Sequence, residues 1–167
     1  MIKHIKCDIF ESGADIICHQ VNCQGVMGSG IAKQVREKYP WVYAEYKECC
    51  GLSPDYILLG SYQQVYIDEK RVVLNIFGQR YYGYDGKCYT NYDALKQAFE
   101  DISKTYPNKT IAIPYLMGCA RGGGGLQLVA VGVIDVDGVL GSAGDLAPGE
   151  LGLARAGLGD AEGGSRQ

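Results

Sequence analysis

The chain has 167 residues, which fits one compact domain with a core that needs no disulfides. Its formal net charge of −3 disfavours a surface that follows many nucleic-acid phosphates, but it permits a small anionic ligand. The sequence has no apolar run long enough for a signal peptide or a membrane span, and its seven cysteines form no CxxC pair. We therefore expect a cytoplasmic protein with free thiols, no membrane partner, no metal and no cofactor.

Strand-like and helix-like segments alternate along the first part of the chain, which indicates an α/β layered domain. The segments IKHIK and ADIICHQV are typical of strands. Ser29 is placed to cap a helix from Gly30 to Tyr39, because Ile31 and Val35 share one face of it. The proline at position 40 is expected to end this helix.

The middle of the chain continues the alternation. WVYAEYKECC is a second helix candidate, and LLGSYQQVYI and RVVLNIF are strand candidates. Apolar residues repeat at helical spacing through NYDALKQAFEDISKTY, and TIAIPYL is typical of a buried strand. The coarse order is therefore two strands and a helix, then another helix, two strands, a helix and a strand.

A glycine-rich turn, QGVMGSG, follows the strand that ends near Asn22. A strand, a glycine turn and a helix N-terminus together present backbone N–H groups and a positive dipole end to an anion such as phosphate. The spacing of Gly25, Gly28 and Gly30 does not match the dinucleotide fingerprint G-x-G-x-x-G, which disfavours a nicotinamide-binding domain. Two readings remain open for this stretch: a phosphate site, or a plain connection in which Asn22 only forms the turn.

Two further features add to a possible ligand cleft. A second glycine-rich turn, MGCARGGGG, follows the strand TIAIPY, so two strand ends can each supply a loop. Asp8 follows the first strand, where its carboxylate can accept a hydrogen bond from an exocyclic amine or can cap a turn.

With these features in place, residues 1–123 resemble the macrodomain family of ADP-ribose-binding modules. The resemblance rests on Asp8-Ile9 after the first strand, ADIICHQVN, GVMGSGIA, TNYDALKQAF and IPYLMGC, in that order and spacing. It implies a three-layer α/β/α sandwich around a mixed central sheet, with an atypical C-terminal part. It also implies that the partner is ADP-ribose, or a protein or nucleic acid that carries ADP-ribose. We expect the protein to be a monomer.

The resemblance also implies a role for each matching position. Asp8 and Ile9 would hold the adenine, and Asn22 would hold the distal ribose. The first turn would wrap the diphosphate and distal ribose through Gly28, Ser29, Gly30 and Ile31. The second turn would form the opposing phosphate loop through Gly118, Cys119, Ala120, Arg121 and Gly122.

Family membership does not decide between a hydrolase and a binding module. The branch that resembles terminal ADP-ribose glycohydrolase and the DNA ADP-ribose antitoxins has a lysine after the strand that here reads VVLNIFGQ, whereas this chain has Gly78 and Gln79. A covalent lysine intermediate is therefore not supported. If hydrolysis occurs, Asn22 is the catalytic candidate, and Asn22→Ala is expected to abolish it while leaving the fold intact. His19 is a possible proton carrier, but a histidine inside a strand is more often packed in the core.

Composition changes sharply after Arg121. The residues from 122 onward include no Lys, Tyr, Cys, Phe, Asn, Thr or His. We therefore divide the chain into a macrodomain-like core, residues 1–123, and an atypical Gly/Ala-rich tail, residues 124–167.

Our hypothesis for the tail is a frameshift, fusion or assembly artefact, which sequencing across that point tests. LQLVAVGVIDV is expected to supply at most a strand-like segment, and residues from about 141 onward are expected to be poorly ordered. A damaged homologue with impaired activity is therefore a third reading of the function.

Overall fold

The computed structural model describes residues 3–114, 117 and 127–132. Six strands of the described residues form one mixed sheet, and helices cover both of its faces. The predicted three-layer α/β/α sandwich is confirmed. In chain order the strands are β1 (Lys3–Cys7), β2 (Ile16–Asn22), β3 (Tyr62–Tyr66), β4 (Val72–Gln79), β5 (Ile111–Pro114) and β6 (Gln127–Gly132).

The strand order across the sheet is β1-β6-β5-β2-β4-β3. The central strand β2 runs parallel to both β4 and β5, while β6 lies antiparallel between β1 and β5. Strands β1, β2, β4 and β5 therefore all end at the same edge of the sheet. We call this edge, where Cys7, Asn22, Gln79 and Pro114 end their strands, the crest.

The helices are α1 (Gly30–Lys38), α2 (Pro40–Leu52), α3 (Asp55–Leu58) and α4 (Tyr92–Thr105). A single turn of 3₁₀-helix, Ile9–Glu11, follows β1. The predicted long helices are present with ends shifted by a few residues. The short helix α3 was not predicted. Its first three residues lie between two predicted elements, and its last residue, Leu58, lies in a segment that was predicted to be a strand. Pro40 occupies the first position of α2, where a missing N–H costs nothing, so it separates α1 from α2 and also begins α2.

Two apolar clusters hold the layers together, one on each face of the sheet. Ile17 and Val21 of β2 pack with Val35 of α1 and with Val42 and Tyr46 of α2. Alternate residues of β2 point the other way and pack against α4. That second cluster includes Ile16, Cys18, Leu74, Ile76, Leu95, Ala98, Phe99 and Ile102. Alternation along β2 therefore sends Ile17 and Val21 to one core and Ile16 and Cys18 to the other.

Strand β6 lies in the segment for which a strand-like contribution was predicted. The strand pairs with β1 over five residues and with β5 over four, and so joins β1 to the rest of the sheet. The expectation about residues from 141 onward lies outside the described residues. In the described part of the chain, no helix has the length and apolar character that crossing a membrane requires.

Candidate ligand-binding site

The crest brings together three of the features that the sequence singled out. Asp8 directly follows β1, Asn22 is the last residue of β2, and the turn after Asn22 leads into the N-terminus of α1. Parallel strands in an open α/β sheet bind ligands at their carboxyl ends. The expected positions 118–122, which follow β5, lie outside the described residues.

Asp8 is partly buried and caps the 3₁₀ turn. Its Oδ1 accepts a hydrogen bond of 2.9 Å from the backbone N–H of Phe10. This is the capping role that the sequence left open beside ligand binding. Ile9 is fully buried in the core, so only its backbone can reach a ligand at this edge.

Asn22 is buried, with 5% of its surface exposed, and its side chain shapes the turn that follows β2. Its Oδ1 accepts from the backbone N–H of Gln24 at 2.9 Å and of Val26 at 3.3 Å, and its Nδ2 donates to the Val26 carbonyl at 2.7 Å. The Tyr46 hydroxyl donates to Asn22 Oδ1 at 2.9 Å and lies 2.7 Å from the Asn22 carbonyl. Asn22 therefore supports the fold of this turn, which argues against the expectation that Asn22→Ala leaves the fold intact.

The N-terminus of α1 lies at the crest, where Ser29 is exposed and Gly30 and Ile31 are half-buried. Gly30 has φ +57°, in the left-handed region, so a side chain here is strained even though a Cβ meets no atom within 4 Å. Ser29 occupies the N-cap position, but its side chain makes no cap hydrogen bond within the described structure, contrary to expectation. The first turn of α1 therefore has no side-chain cap from Ser29, and Ile31 packs partly against the core beneath it.

The segment from 80 to 90 joins β4 to α4, and we call it the tyrosine loop. Three of its rings are exposed: Tyr81 by 53%, Tyr82 by 43% and Tyr84 by 65%. The Tyr84 hydroxyl lies 3.3 Å from the position that a Cβ at Gly28 would take. The tyrosine loop therefore borders the glycine turn, a proximity that sequence reasoning missed because 56 residues separate the two positions.

His19 lies inside the core and not at the crest. It is 1% exposed, its Nε2 is 2.6 Å from Asn75 Oδ1, and Asn75 in turn donates to Gln63 Oε1 at 3.0 Å. Burial lowers the pKa of His19 to about 4, although the Asn75 contact opposes that shift. A neutral, enclosed imidazole in this position supports packing rather than proton transfer to a ligand.

The end of β4 has no room for a side chain at Gly78, one of the two positions that the sequence resemblance compares with a lysine. A Cβ at Gly78 would lie 2.5 Å from Leu95 Cδ2 and 2.9 Å from Gln20 Cγ. The adjacent Gln79 is held in place, since its Oε1 accepts from Gln20 Nε2 at 2.7 Å. Both residues are part of the packing between β4, β2 and α4.

These elements define an α/β protein with a candidate ligand cleft along the carboxyl edge of its sheet. No protein-family model matches the chain. An ADP-ribose 1''-phosphate phosphatase of Aspergillus oryzae is 42% identical over 62 residues, which is 34% of this chain and 30% of the relative. A DNA ADP-ribosyl glycohydrolase of Mycobacterium bovis is 36% identical over 50 residues, 30% of this chain and 14% of the relative. The chain thus spans less than a third of either relative.

Among solved structures, a Bacteroides thetaiotaomicron protein of unknown function matches with a TM-score of 0.60 and 26% identity, covering 72% of this chain and 80% of that one. Macrodomains are also among the similar structures, including that of Thermus aquaticus DarG, at a TM-score of 0.49 and 18% identity over 60% of this chain and 65% of that one. The chain resembles the macrodomain family, as its sequence motifs indicated.

Proposed function

We propose that this chain binds ADP-ribose along the crest. The observation that carries the proposal is the convergence, at one sheet edge, of the Asp8 carboxylate, the Asn22 turn and the exposed N-terminus of α1. The relatives' names support the same ligand class, because both name ADP-ribose or ADP-ribosyl groups. A carboxylate suits an exocyclic amine, and a helix N-terminus suits a diphosphate.

In this proposal the adenine lies next to Asp8 and the backbone of Ile9. The diphosphate lies over Gly28, Ser29 and Gly30, where the first-turn N–H groups of α1 are directed outward. The distal ribose lies beside Asn22. Residues 118–122 form the opposing phosphate loop, as the family resemblance implies.

Binding is the principal activity that we propose, and hydrolysis of ADP-ribose from a modified protein or nucleic acid is the second candidate. The relatives' enzymatic names favour turnover. Against a lysine-dependent route, Gly78 is enclosed by Leu95 and Gln20, and no lysine occupies positions 78 or 79. Any turnover then depends on Asn22 and on the stabilisation of charge by backbone N–H groups.

Calorimetric titration tests the binding proposal. ADP-ribose is expected to bind more tightly than AMP or ribose phosphate, because only the whole ligand meets all three parts of the crest. Equal affinity for the three ligands, or no binding, contradicts the proposal.

Substitution of Asp8 tests the adenine position. Asp8→Ala is expected to reduce the preference for adenine over hypoxanthine in the ligand by about 1–3 kcal/mol, the usual range for a lost buried hydrogen bond. Asp8→Ser is the control for stability, because serine still caps the turn but is too short to reach a base. An unchanged base preference in both variants removes Asp8 from the site.

Turnover is tested by incubating the chain with substrates that carry ADP-ribose on carboxylates, on serine and on DNA bases, and with ADP-ribose 1''-phosphate. Release of ADP-ribose from any of these makes the protein an enzyme. Binding without release in every case supports a binding module.

A further inference from the structure

The Tyr84 hydroxyl lies against the glycine turn over which the proposed diphosphate rests. It is 3.3 Å from the position that a Cβ at Gly28 would take, which is closer than ordinary van der Waals contact. Tyr84 is 65% exposed, and Gly28 and Ser29 are exposed as well. The ring therefore stands beside the turn and does not cover it, so that a ligand on Gly28 lies next to the hydroxyl.

The base of the tyrosine loop is tied to the glycine turn and to α3. The backbone N–H of Cys23 donates to the Gln79 carbonyl at 3.1 Å, and Gln24 Nε2 donates to the Arg80 carbonyl at 3.2 Å. The side chain of Arg80 forms an ion pair with Asp55 of α3, in which Nε lies 3.1 Å from Oδ2. The start of the tyrosine loop and the start of the glycine turn are thus held against one another.

The far part of the tyrosine loop is braced internally by Asp85. Its carboxylate accepts from the Tyr89 hydroxyl at 3.1 Å and from the backbone N–H of Lys87 at 3.2 Å. Gly83 packs closely on the same hydroxyl, because a Cβ there would lie 2.5 Å from it. Tyr84 therefore lies between two residues that pack against Tyr89, and a side chain held in this way loses little freedom when it binds a ligand.

The strand order places Tyr84 at the end of the crest that is remote from the adenine position. Asp8 follows β1, Asn22 ends β2 three strands further along the sheet, and β4, which the tyrosine loop follows, lies beyond β2. A ligand with its adenine at Asp8 and its distal ribose at Asn22 therefore brings its second phosphate, the one attached to that ribose, nearest to Tyr84. A phenolic hydroxyl donates well to a phosphate oxygen, because a hydrogen bond to an ionised acceptor is stronger than a neutral one.

Resting on the proposed function, we infer that Tyr84 is a specificity-determining residue of the site, whose hydroxyl donates a hydrogen bond to the phosphate attached to the distal ribose. The absence of a side chain at Gly28 lets this phosphate approach the backbone of the turn and the hydroxyl together. Tyr84 thereby favours a nucleoside diphosphate over a monophosphate, since AMP has no phosphate at this place.

Calorimetric titration of the full chain and of Tyr84→Phe with ADP-ribose, ADP and AMP tests this inference. The variant keeps the ring and removes only the hydroxyl. It is expected to bind ADP-ribose and ADP about 10-fold more weakly, the lower end of the range for a hydrogen bond to a charged group, because the site is open to solvent. Its affinity for AMP is expected to change by less than about twofold, because no hydrogen bond to this ligand is lost.

Tyr66→Phe is the matched control, because it removes a phenolic hydroxyl of similar exposure far from the crest. Tyr66 is 61% exposed and lies at the opposite edge of the sheet, where β3 ends beside the start of β4. This variant is expected to bind all three ligands like the unchanged chain. Tyr84→Ala, which removes the ring as well, is expected to weaken ADP-ribose and ADP at least as much as Tyr84→Phe does.

The remaining outcomes separate this inference from the proposed function. If the unchanged chain binds none of the three ligands, the proposed function itself is contradicted. If the unchanged chain and Tyr84→Phe bind ADP-ribose equally well, only the inference about Tyr84 is overturned, whatever Tyr84→Ala does. Weaker binding of ADP-ribose with unchanged binding of ADP places the hydroxyl on the ribose and overturns the assignment to phosphate. Equal weakening of AMP overturns it too, because AMP lacks that phosphate.

Discussion

Asn22 makes four side-chain hydrogen bonds within the turn and to Tyr46. Burial raises the pKa of Tyr46, so its hydroxyl stays protonated and remains a donor to Asn22. The same amide that is proposed to position a ribose is therefore also the main support of the loop around it. A functional effect of changing Asn22 has to be separated from an effect on stability.

Asn22→Ala is expected to lower the free energy of unfolding by roughly 1–3 kcal/mol, because it removes the side-chain partner of the Gln24 N–H and of the Val26 N–H and carbonyl. Urea denaturation measures this loss. Gln24→Ala, at an exposed position of the same turn, serves as the control and is expected to stay within about 0.5 kcal/mol of the unchanged chain. Equal stability of the two variants contradicts the structural role given to Asn22.

His19 provides a prediction about pH. Its folded-state pKa of about 4 lies below the ordinary value of 6.5, so between these values the unfolded chain binds a proton that the folded chain does not. Its contribution to stability is therefore complete above about pH 6.5 and decreases as pH falls toward 4. The free energy of unfolding that is lost by pH 4 is roughly 3 kcal/mol.

Denaturation of the unchanged chain and of His19→Gln at several pH values measures this contribution. The other titrating groups are common to both proteins, so the difference between the two curves isolates His19. The variant is expected to have the shallower dependence between pH 6.5 and 4. Parallel curves show that burial of His19 does not depress its pKa as the structure indicates.

At the scale of elements, the contact between β4 and α4 depends on the absence of a side chain at Gly78. The register between β2 and β4 shifts at this point, so that Val21 pairs with Phe77 and Asn22 pairs with Gln79. Gly78 is the extra residue of this bulge, and α4 packs directly over it.

Gly78→Ala is expected to destabilise the protein by about 1–3 kcal/mol, because backbone or neighbouring side chains must move to admit the new Cβ. Gly51→Ala in α2 is the matched control, since a Cβ there meets no atom within 4 Å and alanine favours helix. Thermal unfolding is expected to show a lower Tm for the first variant and an equal or higher Tm for the second. Tolerance of alanine at position 78 means that the strand and helix are less closely packed than described.

The elements differ in how far the sequence could predict them. The helix α4 was predicted because Leu95, Phe99 and Ile102 repeat at helical spacing. The structure adds that the side chain of Asn91 caps it. The helix α3 was missed because four residues are too few to show a period. Asp8 and Asn22 were recognised as candidates from their places after strands, but their hydrogen bonds depend on Phe10, Val26 and Tyr46 in the folded chain.

At the scale of the whole molecule, β6 joins β1 to the sheet. Among the strand pairings of the described residues, β1 pairs only with β6, and β6 pairs with β5. Asp8 follows β1, so the position of one end of the proposed ligand site depends on β6. This strand comes from the segment with the altered composition. The atypical segment therefore contributes to the architecture of the site.

Ala130→Pro tests this dependence. Ala130 pairs with His4 on one side and Ile113 on the other, so a proline there removes a backbone donor from the middle of an inner strand. The variant is expected to unfold at lower denaturant concentration and to bind ADP-ribose more weakly. Gln127→Pro, at the first residue of the strand, is the milder control. Equal behaviour of both variants contradicts an inner position for β6.

The sequence by itself determined the α/β class, the main helices and strands, and the glycine turn after Asn22, because these follow from local periodicity and from turn chemistry. It also predicted that strand ends would carry the candidate residues. Only the tertiary structure decided that Asn22 is buried under Tyr46, that His19 lies in the core, that Gly78 has no space and that the tyrosine loop borders Gly28. These facts depend on contacts between residues far apart in the chain, which arise only when the layers pack together.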